Sequence, residues 1–131
     1  AYAGARLLAD ERHLLLERIE ARVRDRVPVA YLTGEAWFAG MSFRVSRDVL
    51  IPRSPFAELI EKGLMPWLGE RDPQRALDLC TGSGCIGIAL AAHFPGLAVD
   101  LVDVSESALA IARQNIADHG LDERVRARHS D

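Results

Sequence analysis

The chain has 131 residues, 49% of them hydrophobic, and a formal net charge of −3 at pH 7. That is enough for one domain with a real core, and the slight negative balance argues against a general polyanion binder. No apolar run is long enough to span a bilayer and Ala1 to Arg6 lack a signal-peptide core, so no membrane partner is expected.

Between Arg6 and Val27, Leu8, Leu15, Ile19, Val23 and Val27 recur at helical spacing, predicting an amphipathic helix packed by one stripe. Its charged residues are mixed in sign, the pattern of a solvated face laced with ion pairs, and no direct nucleic-acid contact is expected. Pro28 stops the helix. Pro28 to Pro52 reads as irregular chain holding a β-hairpin, with arms Ala36–Phe38 and Ser42–Val45 and a turn near Ala39-Gly40. Trp37 and Phe43 are expected as core filler, while Phe38 stays open between core and cofactor lining. Ser54 as N-cap and Pro55 at the first helical position open a helix through Leu59 and Ile60. Pro66 and Gly69 bound its far end, and Glu70 to Pro73 form a polar linker.

Beyond Arg75 the pattern becomes strand, turn and helix, repeated. Leu77–Cys80 is a strand, Cys85–Phe94 a helix, and Pro95-Gly96 a turn. Leu97–Asp103 is a second strand, and a second helix runs from its Ser105 N-cap to about Asp118, ended by His119-Gly120. Val125–His129 is a third strand. Two consecutive crossovers imply parallel pairing and a doubly wound α/β sheet, with an open edge suited to self-association.

Gly82, Gly84 and Gly87 spell G-x-G-x-x-G where the first strand meets its helix, and Asp103 follows 21 residues after Gly82. A packing turn without ligand shows the same glycines; the strand, helix and following carboxylate point instead to a cofactor turn. On this reading Gly82 permits positive φ, Gly84 clears space for the ligand, and Gly87 lets the helix approach the sheet. Asp103 suits two vicinal ribose hydroxyls, against the alternative of a strand-end bond to the next helix. Asp78, costly inside an apolar strand, either anchors amides of the turn, attracts a cationic group, or keeps its head in water. A carboxylate here repels a dinucleotide pyrophosphate and attracts the ammonium and sulfonium of S-adenosylmethionine. Asp131 follows the third strand, where such folds present polar groups to adenine. Cys80 and Cys85 have poor zinc spacing and read as reduced thiols of a cytoplasmic protein. His13, His93, His119 and His129 show no spacing for a metal or a triad.

Two stretches, Asp78-Leu-Cys-Thr-Gly-Ser-Gly-Cys-Ile-Gly-Ile-Ala-Leu90 and Val102-Asp-Val-Ser-Glu-Ser-Ala-Leu-Ala-Ile-Ala-Arg-Gln-Asn115, resemble class I methyltransferases of the protein-(glutamine-N5) family. Arg26 to Gly40 and Val49 to Ile60 are similar to its ribosomal-protein subfamily, which methylates a glutamine of large-subunit ribosomal protein three. The release-factor subfamily usually has Pro-Arg-Pro-acid-Thr-Glu where this chain has Pro52 to Glu58, and prefers Gly over Cys80.

The resemblance implies the first half of a Rossmann-like, parallel-sheet methyltransferase preceded by a helical segment and a β-hairpin. Residues 1–53 would lie on the substrate-recognition side, 54–74 would connect, and 75–131 would be a partial S-adenosyl-L-methionine-binding domain. It sets the Thr81-Gly82-Ser83-Gly84 backbone against the methionine portion and Asp103 against the ribose, without a metal. The family's Asn-Pro-Pro-Tyr hallmark is absent from these residues, so no catalytic residue is assigned and an inactive fragment is expected. Release-factor or nucleic-acid base methylation, nicotinamide oxidoreduction and a non-enzymatic dimerising scaffold remain the alternatives.

Overall fold

Helix α1 (Ala9–Arg24) opens the computed structural model, which describes residues 4, 6–65 and 67–131. The Glu11 carboxylate accepts from the Leu8 amide at 2.7 Å, half of a capping box. The helix is shorter than its periodicity predicts, and its stripe is not packed. Leu8, Leu15, Ile19 and Val23 are exposed, and only Val27, past the helix end, is buried. Between Pro28 and Gly34 the chain is not irregular but forms a short helix, α2 (Val29–Thr33), closed by Gly34 at φ 76°.

Strands β1 (Glu35–Phe38) and β2 (Met41–Arg44) form the expected antiparallel hairpin. Ala39 and Gly40 both take positive φ, 47° and 72°, the primed turn whose twist matches paired strands. Ala36, Phe38 and Phe43 point into the core, and the two Phe rings meet edge-on at 6.4 Å. Trp37 is on the opposite face and 67% exposed, so it is not core filler: alternation along β1 turns it outward. Helix α3 (Phe56–Glu61) starts one residue later than predicted, with Pro55 as its N-cap; the Ser54 hydroxyl accepts from the Phe56 amide at 3.2 Å. Helix α3 ends at Glu61, and the predicted boundary at Pro66 lies outside the described residues.

Strands β3 (Arg75–Leu79), β4 (Ala98–Asp103) and β5 (Val125–His129) form a parallel sheet in that order, with α4 (Cys85–His93) and α5 (Glu106–Asp118) as crossovers. Sequential order makes both crossovers step the same way, so right-handed connections lay both helices on one face instead of dividing them between two. Their contacts converge on Leu101, in a core shared by Ile88, Val99, Ala112, Ile116 and Val125. Phe38, Phe43 and Ile60 join it, which seats the hairpin and α3 against the same layer. The Arg124 guanidinium donates to the carbonyls of Ala91, Phe94 and Leu97, pinning the α4–β4 turn to the sheet. On the other face Leu77 and Leu79 are exposed, at 60% and 64%. No described helix is long and apolar enough to cross a membrane.

Candidate functional site

Strand β3 delivers the chain into a turn whose alternate residues are left-handed: Cys80 at φ 56°, Gly82 at 57° and Gly84 at 81°. Glycine adopts this region without cost, whereas Cys80 carries strain of about 1–3 kcal/mol that the surrounding structure must offset. The Thr81 amide donates to the Val102 carbonyl at 3.0 Å, tying the turn to β4.

Three side chains clamp the turn from different elements. Asp78 Oδ2 accepts from the Thr81 hydroxyl at 2.8 Å and the Gly87 amide at 3.1 Å. Burial pushes this carboxyl above its ordinary value, the two donors oppose the shift, and nearby Asp103 adds to it. Asp78 therefore anchors the turn from beneath; it does not stand at the pocket mouth. Asp103 Oδ2 accepts from the Gly82 amide at 2.9 Å and its Oδ1 from the Ser105 amide at 3.0 Å. Each of these oxygens keeps a lone pair free. Asn115, from α5, donates to the Ser83 carbonyl at 2.8 Å.

The glycines divide differently from expectation. A Cβ on Gly84 would lie 3.0 Å from both Ile88 and Leu101, so this glycine makes room for the core instead of for a ligand. Gly87 has its predicted role, since a Cβ there would overlap Leu101 and press on Val99 and Asp78. Thr81 and Ser83 are buried, and the Ser83 hydroxyl has no hydrogen-bond partner among the described residues.

At the carboxyl ends of the strands lies a cleft of about 630 Å³. Leu77, Leu79, Val102 and Val104 make its apolar wall, while Cys80, Asp103, Arg128, His129, Ser130 and Asp131 contribute polar groups. Of the predicted residues, Asp103 and Asp131 line this cleft together; Asp78, Thr81, Gly82, Ser83 and Gly84 are not in its lining. Clefts at strand carboxyl ends are the usual ligand positions of open α/β sheets. Two carboxylates beside an apolar wall, with the Arg128 guanidinium drawn to Asp100 at 2.7 Å, suit a cationic, hydroxyl-bearing nucleoside better than a pyrophosphate, so the residues present fit S-adenosylmethionine. Cys80 and Asn115 were not among the sequence candidates. Cys80 sits in line before the glycines, but nothing in the apolar pattern marks Asn115. Cys80 and Cys85 are both free thiols, and burial pushes the Cys85 thiol up.

The same layering recurs in solved methyltransferases. The human methyltransferase 10 domain containing protein superposes with a TM-score of 0.57 at 20% identity, over 92% of this chain and 53% of its own, a likeness of fold alone. A Methanococcus maripaludis protein, provisionally described as an S-adenosyl-L-methionine-dependent methyltransferase, gives 0.51 at 27% identity over 59% and 34%. The fold and its glycine turn are those of a Rossmann-like methyltransferase.

The family model for the methyltransferase small domain matches residues 61–131, and the chain belongs to that family. The ribosomal protein uL3 glutamine methyltransferase of Xanthomonas campestris is 58% identical over 117 residues, 89% of this chain and 38% of that protein. Its Bordetella pertussis counterpart is 52% identical over 130 residues, 97% and 43% respectively. The chain thus spans roughly two-fifths of the length of these relatives.

Proposed function

We propose that the protein carrying this chain is an S-adenosylmethionine-dependent methyltransferase that modifies a glutamine side chain of ribosomal protein uL3. The observation that carries this reading is the 52% identity over 97% of the chain with an enzyme of that name. The sheet, turn and cleft supply its cofactor half. Residues 1–53 serve substrate recognition, 54–74 connect, and 75–131 hold the cofactor in the cytoplasm.

In this reading the cofactor supplies an electrophilic methyl group on a sulfonium. Asp103 uses its free lone pairs on the ribose hydroxyls while its bonds to Gly82 and Ser105 fix its rotamer. Asp131 faces the nucleoside from the third strand, across the same cleft. The Thr81–Gly84 backbone, held by Asp78, supports the methionine end, so that orientation is prepaid before substrate arrives.

Calorimetric titration of the intact protein with S-adenosylmethionine and with a nicotinamide dinucleotide tests the cofactor. Mass spectrometry of uL3 after incubation tests the substrate. Saturable binding of the sulfonium compound only, and a single added methyl on a uL3 glutamine, are expected. Preference for the dinucleotide, or methylation confined to a release factor, sinks the proposal.

A further inference from the structure

Arg44 on β2 has its backbone groups turned away from β1. The Val45 amide donates to the Gly34 carbonyl at 3.0 Å, which fixes the phase of the antiparallel ladder. Bonded and open pairs alternate, so Ser42 and Arg44 present unpaired groups along the outer edge. Helix α5 meets that edge as another strand would. Asn115 Oδ1 accepts from the Arg44 amide at 2.7 Å, and its Nδ2 donates to the Arg44 carbonyl at 3.1 Å. One turn later His119 Nε2 lies 2.9 Å from the Ser42 carbonyl, and Asp118 pairs with the Arg44 guanidinium.

The second Nδ2 proton of Asn115 goes elsewhere, to the Ser83 carbonyl inside the glycine turn. Asn115 is only 1% exposed, yet its carboxamide is well satisfied because one acceptor and two donors each find a backbone partner. Among the described residues, no other side chain hydrogen-bonds both the hairpin and the turn.

We propose that Asn115 is a positioning residue that couples the hairpin edge to the glycine turn, so that movement of β2 is felt at Ser83 and in the cofactor's affinity. The ligand named here rests on the methyltransferase reading; the mechanical link between the two segments does not. A carboxamide is required by its chemistry. Aspartate has no donor for the Ser83 and Arg44 carbonyls, and leucine leaves both carbonyls and the Arg44 amide unpaired.

The test compares Asn115→Asp with Asp118→Asn in the intact protein, by amide hydrogen exchange and S-adenosylmethionine titration. Asn115→Asp should speed exchange in both 41–45 and 82–85 and weaken cofactor binding about tenfold, the scale of one lost hydrogen bond. Asp118→Asn, which removes only an exposed partner of the Arg44 side chain and leaves all three Asn115 bonds in place, should leave exchange in 82–85 and cofactor affinity unchanged. Unaltered turn amides in Asn115→Asp overturn the proposal. Should that variant not fold, through-hydrogen-bond NMR couplings in the unmutated protein decide: couplings from Asn115 Nδ2 to both carbonyls are expected, and none to Ser83 refutes the link. A native protein that ignores S-adenosylmethionine removes the cofactor reading, while exchange still judges the coupling.

Discussion

Helices α1 and α5 both carry an apolar stripe in sequence, but they use it in opposite ways. Helix α5 buries Ala108, Leu109, Ala112 and Ile116 between the sheet and the hairpin, with Asn115 among them. Helix α1 buries none of its residues. Periodicity identifies which face is apolar; it does not say what covers that face. Within 75–131 each helix finds its partner in the strands on either side of it, so local pattern and tertiary packing agree.

The comparison predicts its largest effect on α5. Ile116→Ala removes a side chain from the core beside Leu101 and Ala112 and should cost about 2–5 kcal/mol in denaturant unfolding. A cost below about 1 kcal/mol would mean that α5 is not the buried helix of the pair.

Gly84→Ala should follow, at about 1–3 kcal/mol, because a methyl there meets Ile88 and Leu101 and the backbone sits at φ 81°. The readout also separates the two uses proposed for this glycine. If it makes room for the core, unfolding midpoints drop whether or not cofactor is present. If it makes room for ligand, the loss falls on affinity with stability intact.

Asp78→Asn acts more weakly and through pH. Burial raises the folded carboxyl above its ordinary 3.8, so ionisation is costlier in the folded state than in the unfolded chain. The stability held by the protonated form is complete below that ordinary value and is lost as pH climbs through the higher folded one. Asparagine keeps an acceptor for Thr81 and Gly87 without the charge. The variant's stability relative to the native chain should therefore rise across that window and level off above it. A gap that is the same at every pH would place the Asp78 carboxylate in water after all.

Much of this was legible in the residues themselves. The hairpin arms around Ala39-Gly40, the Ser105 cap, which accepts from the Ala108 amide, and the two glycine-bounded crossovers mark elements that the structure builds close to their predicted bounds. What escaped depends on partners distant in sequence. Five residues of α2 are too few to display a period. The outward turn of Trp37 follows from which face of the hairpin meets the core. Asn115 reads as a polar interruption until the free edge of β2, 71 residues away, is set beside it. Asp78 shows the same lesson at the site: its cost inside an apolar strand was legible, but not which donors would repay it.

The smallest expected effect lies on α1, and it tests the comparison most directly because it repeats the first substitution on the other helix. Ile19 is exposed, so Ile19→Ala removes almost no buried apolar area, and alanine's better helix propensity offsets part of any loss. Unfolding should shift by no more than about 0.5 kcal/mol in either direction. If Ile19→Ala instead costs as much as Ile116→Ala, then something covers the α1 stripe in solution, and the contrast between the two helices disappears. A concentration-dependent midpoint would then identify a second copy as the cover, because only an associating partner makes stability depend on protein concentration.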